Sequence, residues 1–311
     1  MWRFVASRLL QAIPVLITVV TLTFFLVRFA PGGPFDGEKA VLPEVKRALE
    51  AQYRLDQSLW SQYLSYWGDL LQGDFGPSFR YPGRSVNELI AAGLPATTEL
   101  AVYALLVAVV VGMGAGLAAA LRPNSWRDYL PMALAMVGIC MPTLLLGPLL
   151  VLVFGIELEW LPVSGWGDLP GDKILPSLTL GAAYAAYVAR LTRGGMLEVL
   201  SQDYIRTARA KGLPEAVIIG KHALRGGVIP VVAFLGPAFA GLLCGSFVVE
   251  TVFQIPGLGR LFVQAAFNRD YTMILGSTVF FAVLIVVFNL ASDLLAAWLN
   301  PRVRGALRGQ T

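Results

Sequence analysis

Long apolar runs separated by polar connections dominate the chain. The first covers Leu9–Phe29, and five more follow at about Leu100–Leu121, Leu130–Ile156, Leu175–Leu191, Val228–Val249 and Met273–Leu299. About 20 helical residues cross about 30 Å of hydrocarbon, so this pattern predicts six transmembrane helices. The fourth run is the shortest and carries polar breaks. The first run follows Arg3 and Arg8, as a signal peptide would. It is longer than the apolar core of a signal, about 7–15 residues, and Arg28, Phe29, Ala30 and Pro31 stand where a cleavage site wants small residues. An uncleaved span is expected.

Between the first two runs lies Pro31–Pro95, with a different periodicity. Pro43 is placed to open a helix with Val45, Leu49 and Tyr53 on one side. Ser58–Gln72 sets Leu59, Trp60, Tyr63, Leu64, Trp67, Leu70 and Leu71 on a helical stripe, stopped by Gly73. Ser85 and Glu88 form a capping-box pattern for a third short helix, ended by Gly93 and Pro95. Tryptophan and tyrosine favour a membrane interface, although a small cap packed on its own helices reads equally well. The chain thus divides into an N-terminal transmembrane helix (1–30), an extracytoplasmic segment with short helices (31–95), spans two to six (96–299) including a basic loop (193–227), and a tail (300–311).

Composition agrees with an all-α integral membrane protein. Of 311 residues, 56% are hydrophobic and 14% charged, against roughly 25% charged in soluble domains. Cys140 and Cys244 fall inside apolar runs, and His222 is the only histidine, so a metal or haem site is not expected. A phosphate loop is missing: Gly220-Lys221 is followed by His222, and Glu215 stands where the first glycine belongs. No nucleophile–base pair marks a membrane enzyme. An ion-coupled secondary transporter would carry midplane charges and internal repeats, and neither stands out.

Lys and Arg in short connections set orientation. With the N-terminus inside, the cytoplasmic pieces hold Arg3 and Arg8, then Arg122 and Arg127, then Arg193, Arg206, Arg209, Lys211, Lys221 and Arg225, then Arg302, Arg304 and Arg308. The short outer loops hold only Lys173, and Arg260 with Arg269. Both termini are expected in the cytoplasm.

The most basic connection, "DYIRTARAKGLPEAVIIGKHALR", runs from Asp203 to Arg225. Asp203 is a candidate N-cap for a helix from Tyr204, and Gly212 and Pro214 end it. Ile205, Ala208 and Gly212 share one narrow face, with Arg206 and Arg209 toward the other side. A positive-inside anchor needs only the charge; the small face suggests close docking on another protein.

This segment resembles the cytoplasmic coupling loop of permeases in binding-protein-dependent ABC importers. The general pattern of that loop is Glu-Ala-Ala, three residues, Gly, nine residues, Ile-x-Leu-Pro. Aligned on Gly212, the chain matches at Ala208, Gly212 and Leu224; the glutamate, isoleucine and proline are absent. "DYIRTARAKGL" followed by "HALR" is similar to the wording of the peptide-importer branch. So are "LVRFAPGGPF", "GDFGPSF" at Gly73–Phe79, "ETVFQIPGLGRLF" at Glu250–Phe262, "NRDY" at Asn268–Tyr271 and "NPRVR" at Asn300–Arg304. The likeness covers nearly the whole chain and is greatest to the first permease subunit of oligopeptide importers.

The resemblance implies a type I ABC importer permease-like bundle in the bacterial inner membrane. It implies uptake of oligopeptides or dipeptides, or of another small solute of that branch such as nickel or glutathione. The implied partners are a second homologous permease, two cytoplasmic ATPase subunits that bind ATP and Mg, an extracytoplasmic peptide-binding protein, and membrane lipid; no nucleic acid and no cofactor in this chain are implied. Tyr204, Ile205, Arg206, Thr207, Ala208, Arg209, Gly212 and Leu224 become the ATPase-coupling residues, with Ala208 and Gly212 expected to face a groove in the ATPase.

The remaining signals are sparser. Asp293 lies inside the sixth run, where an ionisable group is a functional candidate; its closeness to the inner interface favours a structural ion pair, with Arg190 or with a residue of the next subunit. Gly112–Gly116 and Gly241–Gly245 fit close helix packing. Pro14, Pro131, Pro142 and Pro148 are expected to bend helices. Gln254–Tyr271 reads as a turn followed by a short helix bearing Leu258, Leu261, Phe262 and Ala265 on one face.

Overall fold

A computed structural model of the chain describes residues 2–35 and 43–299; the motif Asn300–Arg304, the rest of the tail and residues 36–42 lie outside the described residues. The elements in chain order are α1 (Trp2–Phe29), α2 (Pro43–Gln52), α3 (Leu59–Leu71), α4 (Val86–Leu121), α5 (Trp126–Cys140) and α6 (Thr143–Leu150), which continues as π-helical turns Val151–Glu157. Then come α7 (Ile174–Leu200), α8 (Asp203–Ala210), α9 (Glu215–Val217), a π-helical stretch Ile218–Ala223, α10 (Leu224–Gly227), α11 (Ile229–Gly245), α12 (Phe247–Val252), α13 (Leu258–Asn268) and α14 (Tyr271–Leu299). Among the described residues the only extended pairing is an isolated bridge between Pro77 and Ser85.

Among the described residues five helices are long and apolar enough to cross a membrane, and a bent pair makes up to six. The bend falls inside the predicted third span. Trp126–Cys140 and Thr143–Glu157 meet at 110° rather than forming one rod. Pro142 explains the break. It offers no N–H and disfavours helical geometry at the preceding residue, and Met141 sits at φ −83, ψ 117.

The third short helix also differs from expectation. The capping box forms, with Ser85 N donating to Glu88 Oε2 at 3.3 Å and Glu88 N to Ser85 Oγ at 3.2 Å. The helix does not stop at Gly93 and Pro95; it runs on as the 36-residue α4, about 54 Å at 1.5 Å per residue. A Cβ on Gly93 would lie 2.8 Å from the backbone nitrogen of Leu258, so this glycine permits close approach of a neighbouring chain and is no terminator.

Contacts divide the chain into two units, Met1–Thr97 with Pro256–Val286 and Thr98–Ile255 with Val287–Thr311. In the first, Val20 and Phe24 of α1 are fully buried with Tyr66 of α3, Leu275 and Val279, and Tyr63, Trp67 and Leu70 pack around them. The Tyr63 and Thr21 hydroxyls share a hydrogen bond of 2.7 Å. Ser58 caps α3, accepting from Ser61 N at 3.3 Å. A second cluster gathers Val86, Leu89, Ile90, Leu258, Ala265 and Met273. Asp270 of the "NRDY" stretch is buried and needs no cation. It accepts from Ser78 Oγ at 2.5 Å, Phe79 N at 3.1 Å, Thr272 Oγ1 at 3.0 Å and Met273 N at 3.2 Å, which pins the loop after Gly76 to the start of α14.

The second unit is built around α7, which contacts α5, α6, α10, α11 and α12. The run that looked shortest in the sequence is a 27-residue helix. Its polar breaks are packing positions: Ser177, Thr179 and Thr192 are buried, and Thr179 Oγ1 returns its proton to Leu175 O at 2.7 Å. Gly112 and Gly116 of α4 let it pass α7 closely. A Cβ on Gly112 would come 2.5 Å from Ala185 O and 2.7 Å from Val188 Cβ, and one on Gly116 would strike Ala189 O.

Candidate coupling site

The arm from Asp203 to Gly227 grows out of the end of α7, where α8 is an eight-residue helix. Its N-cap is Gln202 rather than Asp203, with φ −73 and ψ 150, and Asp203 occupies the first turn. There its charge favours the positive end of the helix, and its carboxylate stands 3.6 Å from Arg206. At the other end Gly212 N donates to Arg209 O at 2.9 Å and Leu213 N to Ala208 O at 3.3 Å. These two bonds form a Schellman cap, which requires the left-handed φ of +74 at Gly212.

A free helix of eight residues is marginal in water. Here Ile205 is fully buried and Ala208 nearly so, in a cluster with Ala120, Met196, Ile218 and Ala223. Leu224 packs partly buried against the same cluster. Burying an isoleucine is worth about 1.5–3 kcal/mol, enough to hold so short a helix.

This placement corrects the expected docking face at Ala208, whereas Gly212 stays exposed. Ile205 and Ala208 turn toward the chain's own core. The small face does permit close docking, but the surface it meets is α7 and the returning arm. Gly212 has nothing within 4 Å of a would-be Cβ, so its place in the sequence answers to backbone conformation. The outward side consists of Tyr204, Arg206, Thr207 and Arg209, all exposed. Arg209 Nε donates to Glu215 Oε1 at 2.7 Å, tying α8 to α9, and this bond raises the guanidinium pKa above the ordinary arginine value. Lys211, Lys221 and Arg225 are exposed, and His222 is half-buried. Among the described residues no cluster of three His, Cys, Asp or Glu side chains exists to hold a metal.

Behind the arm lies an ion pair that the sequence pattern did not single out. Asp128 of α5 is 2% exposed and takes a bidentate pair from Arg193 of α7, Nε to Oδ1 at 2.6 Å and Nη2 to Oδ2 at 2.8 Å. Asn124 N adds a third donor at 3.0 Å. Arg193 is therefore a helix residue, not a loop charge, because α7 runs on to Leu200. A basic residue beyond the presumed span and an aspartate in the first turn of its neighbour were the available signals. By contrast, the structure does not bring Arg190 and Asp293 together: Arg190 is exposed, Asp293 half-buried, and no ion pair joins them. At another end of this unit Lys173 donates to Glu99 at 2.5 Å and lies over the Trp166 ring at 5.2 Å.

Residues 112–305 match the family described as binding-protein-dependent transport system inner membrane component. The oligopeptide transport system permease protein OppB of Salmonella typhimurium is 47% identical over 305 residues, which covers 98% of this chain and 100% of the relative. OppB of Haemophilus influenzae is 48% identical with the same coverage. The dipeptide transport system permease protein DppB of Bacillus subtilis is 41% identical, covering 98% of both chains.

The chain belongs to this family. It is a multi-pass inner-membrane component of a binding-protein-dependent ABC importer, a transport subunit. The fold agrees: an inward-facing MetNI methionine ABC transporter chain aligns with a TM-score of 0.54 at 17% identity, covering 68% of this permease and 96% of that chain. A chain of an amino acid ABC transporter solved with histidines gives 0.51 at 19% identity, covering 70% and 94%. The family match begins at Gly112, so it takes in α7 and the whole arm.

Proposed function

We propose that this permease carries oligopeptides or dipeptides across the inner membrane, and that partner ATPase subunits drive it through the outward side of α8. The substrate reading is supported by near full-length identity to oligopeptide and dipeptide permeases. In this reading an external binding protein delivers the peptide. A second, homologous permease completes the pathway, and two cytoplasmic ATPases bind ATP and Mg. The arm faces the cytoplasm with both termini, and residues 31–95 face outward.

The observation that carries the coupling role is the two-sided build of α8. Its inner side is fixed to α7 through Ile205 and Ala208, while Tyr204, Arg206, Thr207 and Arg209 stand outside. A force applied to that outer side reaches a spanning helix without first deforming a loop. Co-purification in mild detergent tests the partners, which should include ATPase subunits and a second permease. Sidedness is tested with a membrane-impermeant thiol reagent. A cysteine at Gln72 should label in intact cells and one at Ser201 only after permeabilisation; the reverse pattern contradicts the orientation.

A further inference from the structure

In the first unit, a cavity of about 280 Å³ is lined by charged groups of both signs, among them Arg28, Arg54, Asp69 and Asp74. Two residues of its wall each carry a side-chain atom that is covered and has no hydrogen-bond partner. Arg28 Nε donates to Gln62 Oε1 at 3.0 Å and the guanidinium lies 3.6 Å over the Phe24 ring, yet Nη1 is buried and bonds to nothing. The hydroxyl of Tyr66, a residue 8% exposed, is likewise buried without a hydrogen bond. Gln62 Nε2 is itself a donor, to Leu55 O at 3.2 Å and Gln57 O at 2.9 Å, and so offers these atoms no acceptor. Among the described residues no carboxylate forms an ion pair with Arg28.

Arg28 is half-buried, but its covered Nη1 lacks an acceptor beside a covered hydroxyl that also lacks one, and such donors are costly to keep. Both atoms are donors. Burial raises the Tyr66 pKa above the ordinary tyrosine range, so its proton stays in place. What the wall lacks is one acceptor bearing negative charge. A carboxylate supplies it, with two oxygens matched to an arginine. The same wall carries Asp69 and Asp74, which suit an ammonium group. Small-molecule pockets usually begin near 300 Å³, so the occupant is small.

We propose that this cavity is a binding subsite for a small zwitterion, its carboxylate held by Arg28 and Tyr66 and its ammonium by Asp69 and Asp74. Resting on the peptide reading above, the occupant is a short peptide or its terminal residue. Nη1 and Oη are shielded in the present packing, so binding includes a turn of the side chains that cover them.

The test uses the full-length permease in nanodiscs of neutral phosphatidylcholine and titrates it calorimetrically with L-alanyl-L-alanine. The C-terminal amide, the N-acetyl derivative and inorganic phosphate serve as comparison ligands. The free dipeptide should bind at least tenfold more tightly than the amide or the N-acetyl form. Tyr66→Phe should weaken it about tenfold without lowering the melting temperature, because the lost oxygen bonds to nothing in the folded chain. Arg28→Gln should weaken it further.

Equal binding of acid and amide, unchanged binding by Tyr66→Phe, or no binding to the wild type would overturn the subsite. Phosphate binding as tightly as the dipeptide, or displacement of the dipeptide by added phosphatidylglycerol, would also overturn it in favour of a lipid phosphate. Failure of the transport reading shows separately, in peptide uptake by the assembled importer. Uptake without binding removes only the subsite.

Discussion

Two short helices, α3 and α8, lie outside the spans, and they are built from opposite materials. The 13-residue α3 fastens itself with aromatic rings, Tyr63 lying 5.2 Å from Phe24 and Tyr66 6.3 Å from it. Its other side stays apolar, with Trp60 66%, Leu64 65% and Leu71 82% exposed. The eight-residue α8 fastens itself with an isoleucine and an alanine, and its other side is polar and basic. Each helix is anchored from behind, so the outer side reports what it meets. Exposed tryptophan and leucine suit the lipid interface. Exposed arginine, threonine and tyrosine on a rigid short helix suit a polar protein surface.

The comparison depends first on the rigidity of the frame behind α8. Asp128→Ala should leave Arg193, whose side chain is 31% exposed, without its carboxylate and cost about 1.5–3 kcal/mol. The expected result is a large loss of monodisperse protein and a lower melting temperature in detergent, while joint replacement of Asp128 and Arg193 by leucine recovers much of it. Equal damage in the double variant would show that the pair does more than balance charge.

A second measurement separates the anchors. Ile205→Ala removes buried methyl groups at about 2–5 kcal/mol, so hydrogen exchange should accelerate across Asp203–Ala210. Trp60→Ala on the exposed side of α3 should change stability by no more than about 0.5 kcal/mol. If exchange in α8 is unaltered, the inner face is not what holds it. A smaller loss than that of Ile205→Ala is expected of Tyr63→Phe, which removes the hydrogen bond to Thr21 and should lower stability by about 1 kcal/mol. No loss there would mean that rings alone fasten α3.

Much of this arrangement was legible in the sequence. Apolar run length located the spans, Ser58 and Gly73 bracketed α3, and Gly212 marked the end of α8, because each rests on local geometry that one residue dictates. What was illegible depended on neighbours. Gly93 looked like a stop because its requirement comes from the Leu258 backbone, distant in sequence. The polar breaks of α7 looked like weakness because what they meet is not visible in hydropathy: Ser177 and Thr179 bond to backbone carbonyls one turn back, and Thr192 packs against Gly116. The inner face of α8 was recognised as a docking surface from its small residues. Periodicity shows that a face is buried, but not whether the burying surface belongs to the same chain. The Asp128–Arg193 pair was missed for the same reason, since its two ends lie 65 positions apart.

The most direct test of the account is charge reversal on the outer side of α8, with Arg206→Glu and Arg209→Glu combined. Both side chains are exposed, and exposed ion pairs contribute only about 0–1 kcal/mol, so the permease should fold and melt as the wild type does. Reconstituted with its co-purifying ATPase subunits, the variant should lose at least tenfold in ATPase association or in transport per ATP hydrolysed, whereas Trp60→Ala on α3 should lose neither. Wild-type association and coupling in the charge-reversed protein would contradict a role for that side of α8, leaving its basic residues as an anchor that holds the loop on the cytoplasmic side.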